Sequence, residues 1–424
     1  ASISRLVDKA IADGMRGMAL TDHGNMMGVK DFFNYVQKKK GGASKDFKKA
    51  EAQLKELQAK AREAGTDSCS VVLNDGKTLA DAMAETEKAM EKAKRVMDFK
   101  PIIGCEMYCA RRTKFDKTLK EDRSGWHLVV LAKNEVGYHN LVKLVSRAWV
   151  DGFYMKPRTD KADLEQFKEG LIISSACLGG EIPRKLLTGD EEGAEEAVMW
   201  FKERFGEDYY LELQRHEVKD PAQRANRETY PLQQKANEGL LRLAKKCGVK
   251  YICTNDAHFV DEDNSEAHDL LICLSTNHFV SDQSRMLYSK QEWFKTQAEM
   301  NEIFHDLPEA LATTQEIVDK IEEYSIDHGP IMPNFEIPED FGTEESYREK
   351  YSEADLYDEF TQDENGNVVI SREEGEAKIK KLGGYDKLYR IKLEADYLAK
   401  LAYEGAHWRY GNPLDEETEA RIKF

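Results

Sequence analysis

Apolar positions recur along this chain in two rhythms. Ile3, Leu6, Val7, Ala10 and Ile11 follow the three-and-four spacing of an amphipathic helix, so Ala1 to Arg16 reads as a helix and not as a cleavable leader. Gly14 and Gly17 break that spacing. The run Met18-Ala19-Leu20 then reads as a strand that ends at Thr21-Asp22-His23-Gly24, and Val29, Phe32, Phe33 and Val36 mark the next helix.

The same alternation resumes after residue 100. Strands are expected over Pro101–Tyr108, His127–Ala132, Leu171–Ser175, Tyr209–Leu213 and Tyr251–Thr254, with helices over Tyr138–Val150, Ala194–Phe205 and Gly239–Cys247. The apolar runs are short and continuous, as in strands covered on both faces. Strand–helix alternation of this kind predicts an α/β fold on a mostly parallel sheet. Periodicity leaves open whether that sheet is flat or closed into a barrel.

Two stretches differ in texture. From about 41 to 98 the chain is rich in Ala, Lys, Glu and Gln, and Lys38-Lys-Lys-Gly-Gly42 opens it. It reads as an inserted, solvated helical hairpin, with a short apolar piece at 70–73 and an Asn-Asp-Gly turn at 74–76. Beyond about 330 an extended linker, spaced by Pro330, Pro333 and Pro338, gives way to an acidic segment with an Asn-Gly hairpin turn at 365–366. The expected organisation is therefore one domain over 1–335 and a linker with a second segment over 336–424.

Composition narrows the class. The chain of 424 residues is 41% hydrophobic and 33% charged, which suits a packed core. No apolar run approaches the roughly 20 residues of a membrane span. Seven cysteines without a CxxC pair suggest reduced thiols in a cytoplasmic protein. A net charge of −17 makes the chain as a whole a poor partner for phosphate backbones, so any grip on nucleic acid needs a local surface.

The candidate chemistry gathers at strand ends: Asp22 and His23, Glu106, His127, Cys177, and Asp256 with His258. In α/β folds the carboxyl ends of the strands converge on one face. His127 opens its run instead of closing it, so its strand is expected to run the other way or to sit at an edge. Carboxylate, imidazole and thiolate in one pocket suit zinc, manganese or iron, and such ions support phosphoester hydrolysis. His216, after Leu211-Glu-Leu-Gln, is a further candidate beside Asp22 for a catalytic role. His139, His268, His278, His305, His328 and His407 read as surface or helix residues.

Six segments appear in order: Thr21-Asp-His-Gly-Asn25, Ile103-Gly-Cys-Glu106, His127-Leu-Val-Val-Leu-Ala132, Gly152-Phe-Tyr-Met-Lys-Pro-Arg158, Ser175-Ala-Cys-Leu-Gly-Gly180 and Thr254-Asn-Asp-Ala-His258. Together they resemble the polymerase-and-histidinol-phosphatase (PHP) domain of bacterial replicative polymerase alpha subunits. The resemblance implies a distorted seven-stranded (β/α) barrel with up to three divalent metal ions. By position, Glu106 would bridge two metals, His127 and Cys177 would complete one ion, Asp256 would serve a second, and His23 and His258 would share the third. It also implies a His-x-His strand ahead of Ala1, followed shortly by another ligand, three further ligands in all.

The resemblance further implies a DNA-directed DNA polymerase as parent, with a metal-dependent phosphoesterase or 3′–5′ proofreading exonuclease centre in this domain. Magnesium-binding carboxylates of the polymerase core would lie beyond Phe424, so this stretch alone is not expected to polymerise. Implied partners are DNA, a proofreading exonuclease subunit, a sliding clamp and other replisome subunits. Two rival readings remain: a catalytically inactive structural platform for a separate proofreading subunit, and a small-molecule phosphatase.

Overall fold

The structure is a computed structural model and describes residues 1–64, 71–73, 76–218, 220, 222, 224–331, 333, 335–363 and 365–424. It divides into two compact units, Ala1–His328 and Gly329–Phe424, so the boundary falls a few residues before the expected 335.

In the first unit the strands are β1 (Gly17–Leu20), β2 (Lys100–Cys109), β3 (Trp126–Ala132), β4 (Arg158–Thr159), β5 (Leu171–Ser174), β6 (Tyr209–Leu213) and β7 (Lys250–Cys253). They form one sheet in the order β1-β2-β3-β5-β6-β7, with β4 also paired to β2. All pairings are parallel except those of β3, which runs against both β2 and β5. The sheet curls into a partial barrel of the expected α/β type.

The helices are α1 (Ile3–Ala12), α2 (Val29–Ala64), α3 (Leu79–Met97), α4 (Glu135–Val150), α5 (Lys161–Gln166), α6 (Glu181–Thr188), α7 (Glu191–Phe205), α8 (Arg224–Glu228), α9 (Tyr230–Cys247), α10 (Ser265–Thr276), α11 (Gln297–Ile303) and α12 (Pro308–Lys320). The outer face of the sheet presents Ile103, Cys105, Leu128, Val130, Ile173 and Leu211. They pack into one core with Leu141 and Leu144 of α4, Val198 and Phe201 of α7, and Leu240 of α9.

The inner face has a gradient that places the site. Side chains two apart on a strand share a face. At one end of the inner face, Ile102, Leu131, Ile172, Tyr210 and Ile252 form an apolar cluster with Ile317 and Val318 of α12. Two to four residues further along, the same face carries Glu106, His127, Ser174, Glu212, Thr254 and Asp256. On parallel strands these polar residues come last. On reversed β3 the polar end comes first, which is why His127 opens its run.

The inserted stretch departs from expectation at its start. Gly41-Gly42 does not interrupt the chain: α2 runs unbroken for 36 residues. Each glycine costs about 1 kcal/mol relative to alanine inside a helix. Packing on both sides outweighs that cost. Phe32 and Val36 are buried with Val7 and Phe99 at one end, and α2 pairs with α3 beyond. The pair is joined by a thin seam at seven-residue spacing, Ala43, Ala50 and Leu57 against Leu79, Thr86 and Ala93, all buried. Ser70, Asn74 and Asp75 of the expected apolar piece and turn lie outside the described residues.

The second unit holds α13 (Glu344–Lys350), α14 (Glu353–Thr361), α15 (Arg372–Leu382), α16 (Tyr385–Tyr410) and α17 (Glu416–Lys423). Tyr347, Leu356, Ile379, Leu388, Tyr389 and Leu393 form its core. The hairpin turn is present: Gln362 bridges Val368, and Asp363 donates its N–H to the Asn367 carbonyl at 2.9 Å.

Candidate metal centre

Backbone pairing brings the first two candidates together. After β1 the chain stays bound to β2: Glu106 donates its N–H to Asp22 O at 3.0 Å, and Gly24 donates to Glu106 O at 2.8 Å. His23 is thereby held beside Glu106, and its Nδ1 lies against Glu106 Oε2. On the other side of β2, the antiparallel register sets His127 opposite Tyr108, one inward position from Glu106. His127 Nδ1 is 3.3 Å from Glu106 Oε1.

Cys177 arrives from the β5 end. Ala176 turns the chain at φ +57°, a left-handed conformation that re-aims the next side chain. Cys177 Sγ lies 3.5 Å from His127 Nδ1 and 3.9 Å from Glu106 Oε1, and it accepts the Gly179 N–H at 3.4 Å. One donor atom each from Glu106, His127 and Cys177 falls within 4.8 Å of the others, the one such group of three among the described residues.

A second set faces Glu106 from the β7 end. Asp256 also sits at positive φ (+48°). His258 Nδ1 donates to the Asp256 carbonyl at 2.7 Å, and its Nε2 lies 3.4 Å from His23 Nε2. Asp22, His23, Glu106, Cys177, Glu212, Asp256 and His258 all line one cavity of about 650 Å³ inside the barrel.

Electrostatics match this crowding. Burial opposes ionisation of Glu106, but His127 and His23 outweigh it and hold the carboxyl down at about 2. His23 is raised, chiefly by its contact with Glu106. Burial, with the charges of Asp256 and Glu106, pushes the Cys177 thiol well up. Burial also pushes Asp256 up, against the pull of His258. A cation in this pocket would favour the charged forms of the carboxylates and the thiolate. The donor set of one thiol, two carboxylates and three imidazoles fits a divalent metal.

The remaining candidates behave differently. Asp22 lends its main-chain carbonyl to Glu106 and to the Cys105 thiol and lines the cavity, with its carboxylate beside Gly28. His216 is buried with both ring nitrogens in use: Nε2 is 3.0 Å from Asn255 O, and Nδ1 is 3.1 Å from Gln233 Nε2. Burial lowers its pKa. It steadies the turn before Asp256 without offering a free nitrogen.

Two features escaped the sequence reading. Glu212 is buried and accepts from Ser174 Oγ (2.5 Å), Ala176 N (3.0 Å) and Thr254 Oγ1 (2.6 Å), tying the ends of β5, β6 and β7 together. A lone carboxylate inside Tyr-Tyr-Leu-Glu-Leu was the available signal. His268, expected as a surface or helix residue and found on α10, stands beside His258 with ring centroids 5.6 Å apart, and Tyr288 packs on both rings. No spacing in the sequence marks that contact, since α10 brings it from outside the strand pattern.

The chain is 37% identical over 354 residues to the DNA polymerase III subunit alpha of Borreliella burgdorferi, covering 82% of this chain and 25% of that protein. It is 31% identical over 362 residues to the same subunit of Treponema pallidum, covering 85% and 25%. With Campylobacter jejuni the figures are 34% over 300 residues, 68% and 23%. The chain thus spans about a quarter of the length of the curated relatives it matches. The PHP domain model matches residues 1–216, which carry His23, Glu106, His127 and Cys177, and the chain therefore belongs to the PHP domain family.

Proposed function

We propose that this chain is the PHP-domain portion of a bacterial DNA polymerase III alpha subunit, and that its own site is a metal-dependent phosphoesterase acting on 3′ ends of DNA. The observation that carries the reading is the convergence of Glu106, His127 and Cys177, with His23, Asp256 and His258 on the far side of the same carboxylate. Polymerisation by the parent, its magnesium ions and its partners (DNA, a proofreading subunit, a sliding clamp) belong to the same proposal and rest on similarity to relatives named DNA polymerase III subunit alpha.

Divalent ions bound here, with zinc or manganese the best fit to the donors and iron a further option, would supply an activated water and neutralise phosphate oxygens. The chain's own residues would do the rest. Glu106 turns Oε1 to His127 and Cys177 and Oε2 to His23, so one carboxylate serves two sides. The Asp256 carbonyl fixes the tautomer of His258. Gly179 holds the sulfur in place. Buried Glu212 sets both left-handed turns from which Cys177 and Asp256 project.

The test is metal loading with zinc or manganese, followed by an assay on DNA with a mispaired 3′ end, beside Glu106→Gln. Loss of nucleotides from the 3′ end that disappears in the variant supports the reading. Cleavage restricted to small phosphomonoesters would replace it with a phosphatase. A second reading, an inactive metal-bound platform for a separate proofreading subunit, is favoured by one observation: only one group of three donors lies within common reach among the described residues. Full metal content without cleavage of any substrate would select that reading.

A further inference from the structure

The segment Gly152-Phe-Tyr-Met-Lys-Pro-Arg158 supplies no donor to the metal centre, yet it is built onto its rim. Arg158 is fully buried, and its guanidinium donates to the carbonyls of Gly152 (3.1 Å), Asp116 (2.9 Å) and Lys114 (2.7 Å). A Cβ on Gly152 would lie 1.9 Å from Arg158 O, so only glycine lets the loop close. Pro157 packs on Gly24, where an added Cβ would come within 2.8 Å of its ring. These buried contacts hold the loop rigid and leave Phe153, Met155 and Lys156 facing outward.

What faces outward is unusual for a solvated loop. Phe153 stacks on Trp149 with centroids 5.5 Å apart and planes 21° apart, and the two residues remain 45% and 43% exposed. Trp149 Nε1 donates to Gly24 O at 2.8 Å, one residue past His23. Met155 is 67% exposed and held at φ +64°, a conformation costly to a residue with a side chain. Lys156 Nζ lies 5.5 Å from the centre of the Tyr108 ring, which meets His127 edge-on at 5.2 Å. The loop thus joins an exposed aromatic stack, a flexible thioether and a cation to the metal centre through Gly24 and Tyr108.

We propose that the Trp149–Phe153 stack, with Met155 and Lys156, is a stacking platform for the unpaired bases of a single-stranded nucleic-acid end whose phosphodiester reaches the Glu106 centre. The proposal deepens the phosphoesterase reading and rests on it for the position of the phosphate. Every base has a face that stacks on an aromatic ring, and a neighbouring lysine meets the backbone charge, so binding would be strong for single strands and tolerant of sequence. It also answers the net charge of −17: the grip is local and largely non-ionic.

The experiment measures binding, not cleavage. The protein is loaded with manganese and titrated into a 5′-fluorescein single strand. The strand ends in 2-aminopurine behind a phosphorothioate linkage that resists hydrolysis. Phe153→Ala is expected to weaken binding roughly fivefold to a hundredfold, the range that base–aromatic stacking supplies, and to abolish quenching of the terminal base. Phe153→Tyr keeps both signals, and metal content is the same in all three proteins. Unchanged affinity in Phe153→Ala, an equal loss on blunt duplex, or no single-strand binding by the unsubstituted chain would each overturn the platform. If Phe153→Ala loses binding although no version cleaves DNA, the platform stands and the hydrolytic reading falls.

Discussion

Glu106 Oε1 lies 3.3 Å from His127 Nδ1 across two strands that run in opposite directions, although neither residue is the direct register partner of the other. The contact is diagonal and exists because β3 is reversed. A one-residue slip of β3 would turn His127 to the outer face and dismantle the three-donor group. The three-donor group and the strand register are therefore one property.

Cys177→Ala is expected to reduce affinity for zinc by about a hundredfold or more, since loss of an outer partner alone costs 10–100-fold. The fold should persist, because Cys177 sits on a turn outside β5. Metal stoichiometry after dialysis against a competing chelator, with circular dichroism as the control, checks it. Retention of the unsubstituted metal content would remove Cys177 from the ligand set.

Glu212→Gln should destabilise the first unit by about 1–3 kcal/mol, because the amide presents a donor where hydroxyl and amide donors already converge. Chemical denaturation measures the loss. Lower metal affinity should accompany it, through the displaced turns at Ala176 and Asp256.

Arg158→Met should cost about 2–4 kcal/mol, since three carbonyls lose a charged donor in a buried place. The same variant should release the Trp149–Phe153 stack, seen as a change in tryptophan emission. Normal stability would mean that the loop is held by Pro157 alone.

Lys295 gives a pH-dependent outcome. Burial lowers its pKa to about 8, against partial support from Glu299, Glu292 and Glu262. The folded value lies below the unfolded one, so the unfolded chain binds more protons between about pH 8 and the ordinary lysine range. Stability from this residue therefore rises with pH across that window, and the penalty is fully present below it. Lys295→Met should raise the melting temperature at pH 7, with the gain shrinking by pH 9.5. A constant gain at both pH values would show that charge is not the cause.

Replacing 41–98 by a short Gly/Ser linker should leave the barrel folded and its metal affinity unchanged. Phe32, Val36 and Phe99, which anchor the hairpin's base, all lie outside the excised range. Cooperative unfolding with unaltered metal content is the expected readout, and collapse of the barrel would make the α2–α3 seam part of its core.

The sequence by itself determined the strands other than the two-residue β4, and most of the side chains that converge in the pocket. Short apolar runs closing on His, Cys, Asp or Glu specify both an element and what it delivers, because alternation on a strand ties burial to direction. The reversal of β3 was legible as one of two alternatives, the other being an edge position, since His127 stands at the wrong end of its run for a parallel strand. The continuity of α2 through Gly41-Gly42 was not, because local propensity opposes it and only packing against Val7, Phe99 and α3 outweighs that preference. His268 at His258, Glu212 beneath both turns, and the spent nitrogens of His216 were likewise decided in three dimensions. Each depends on which side chains meet across elements far apart in the chain, and no periodicity within one element encodes such a meeting.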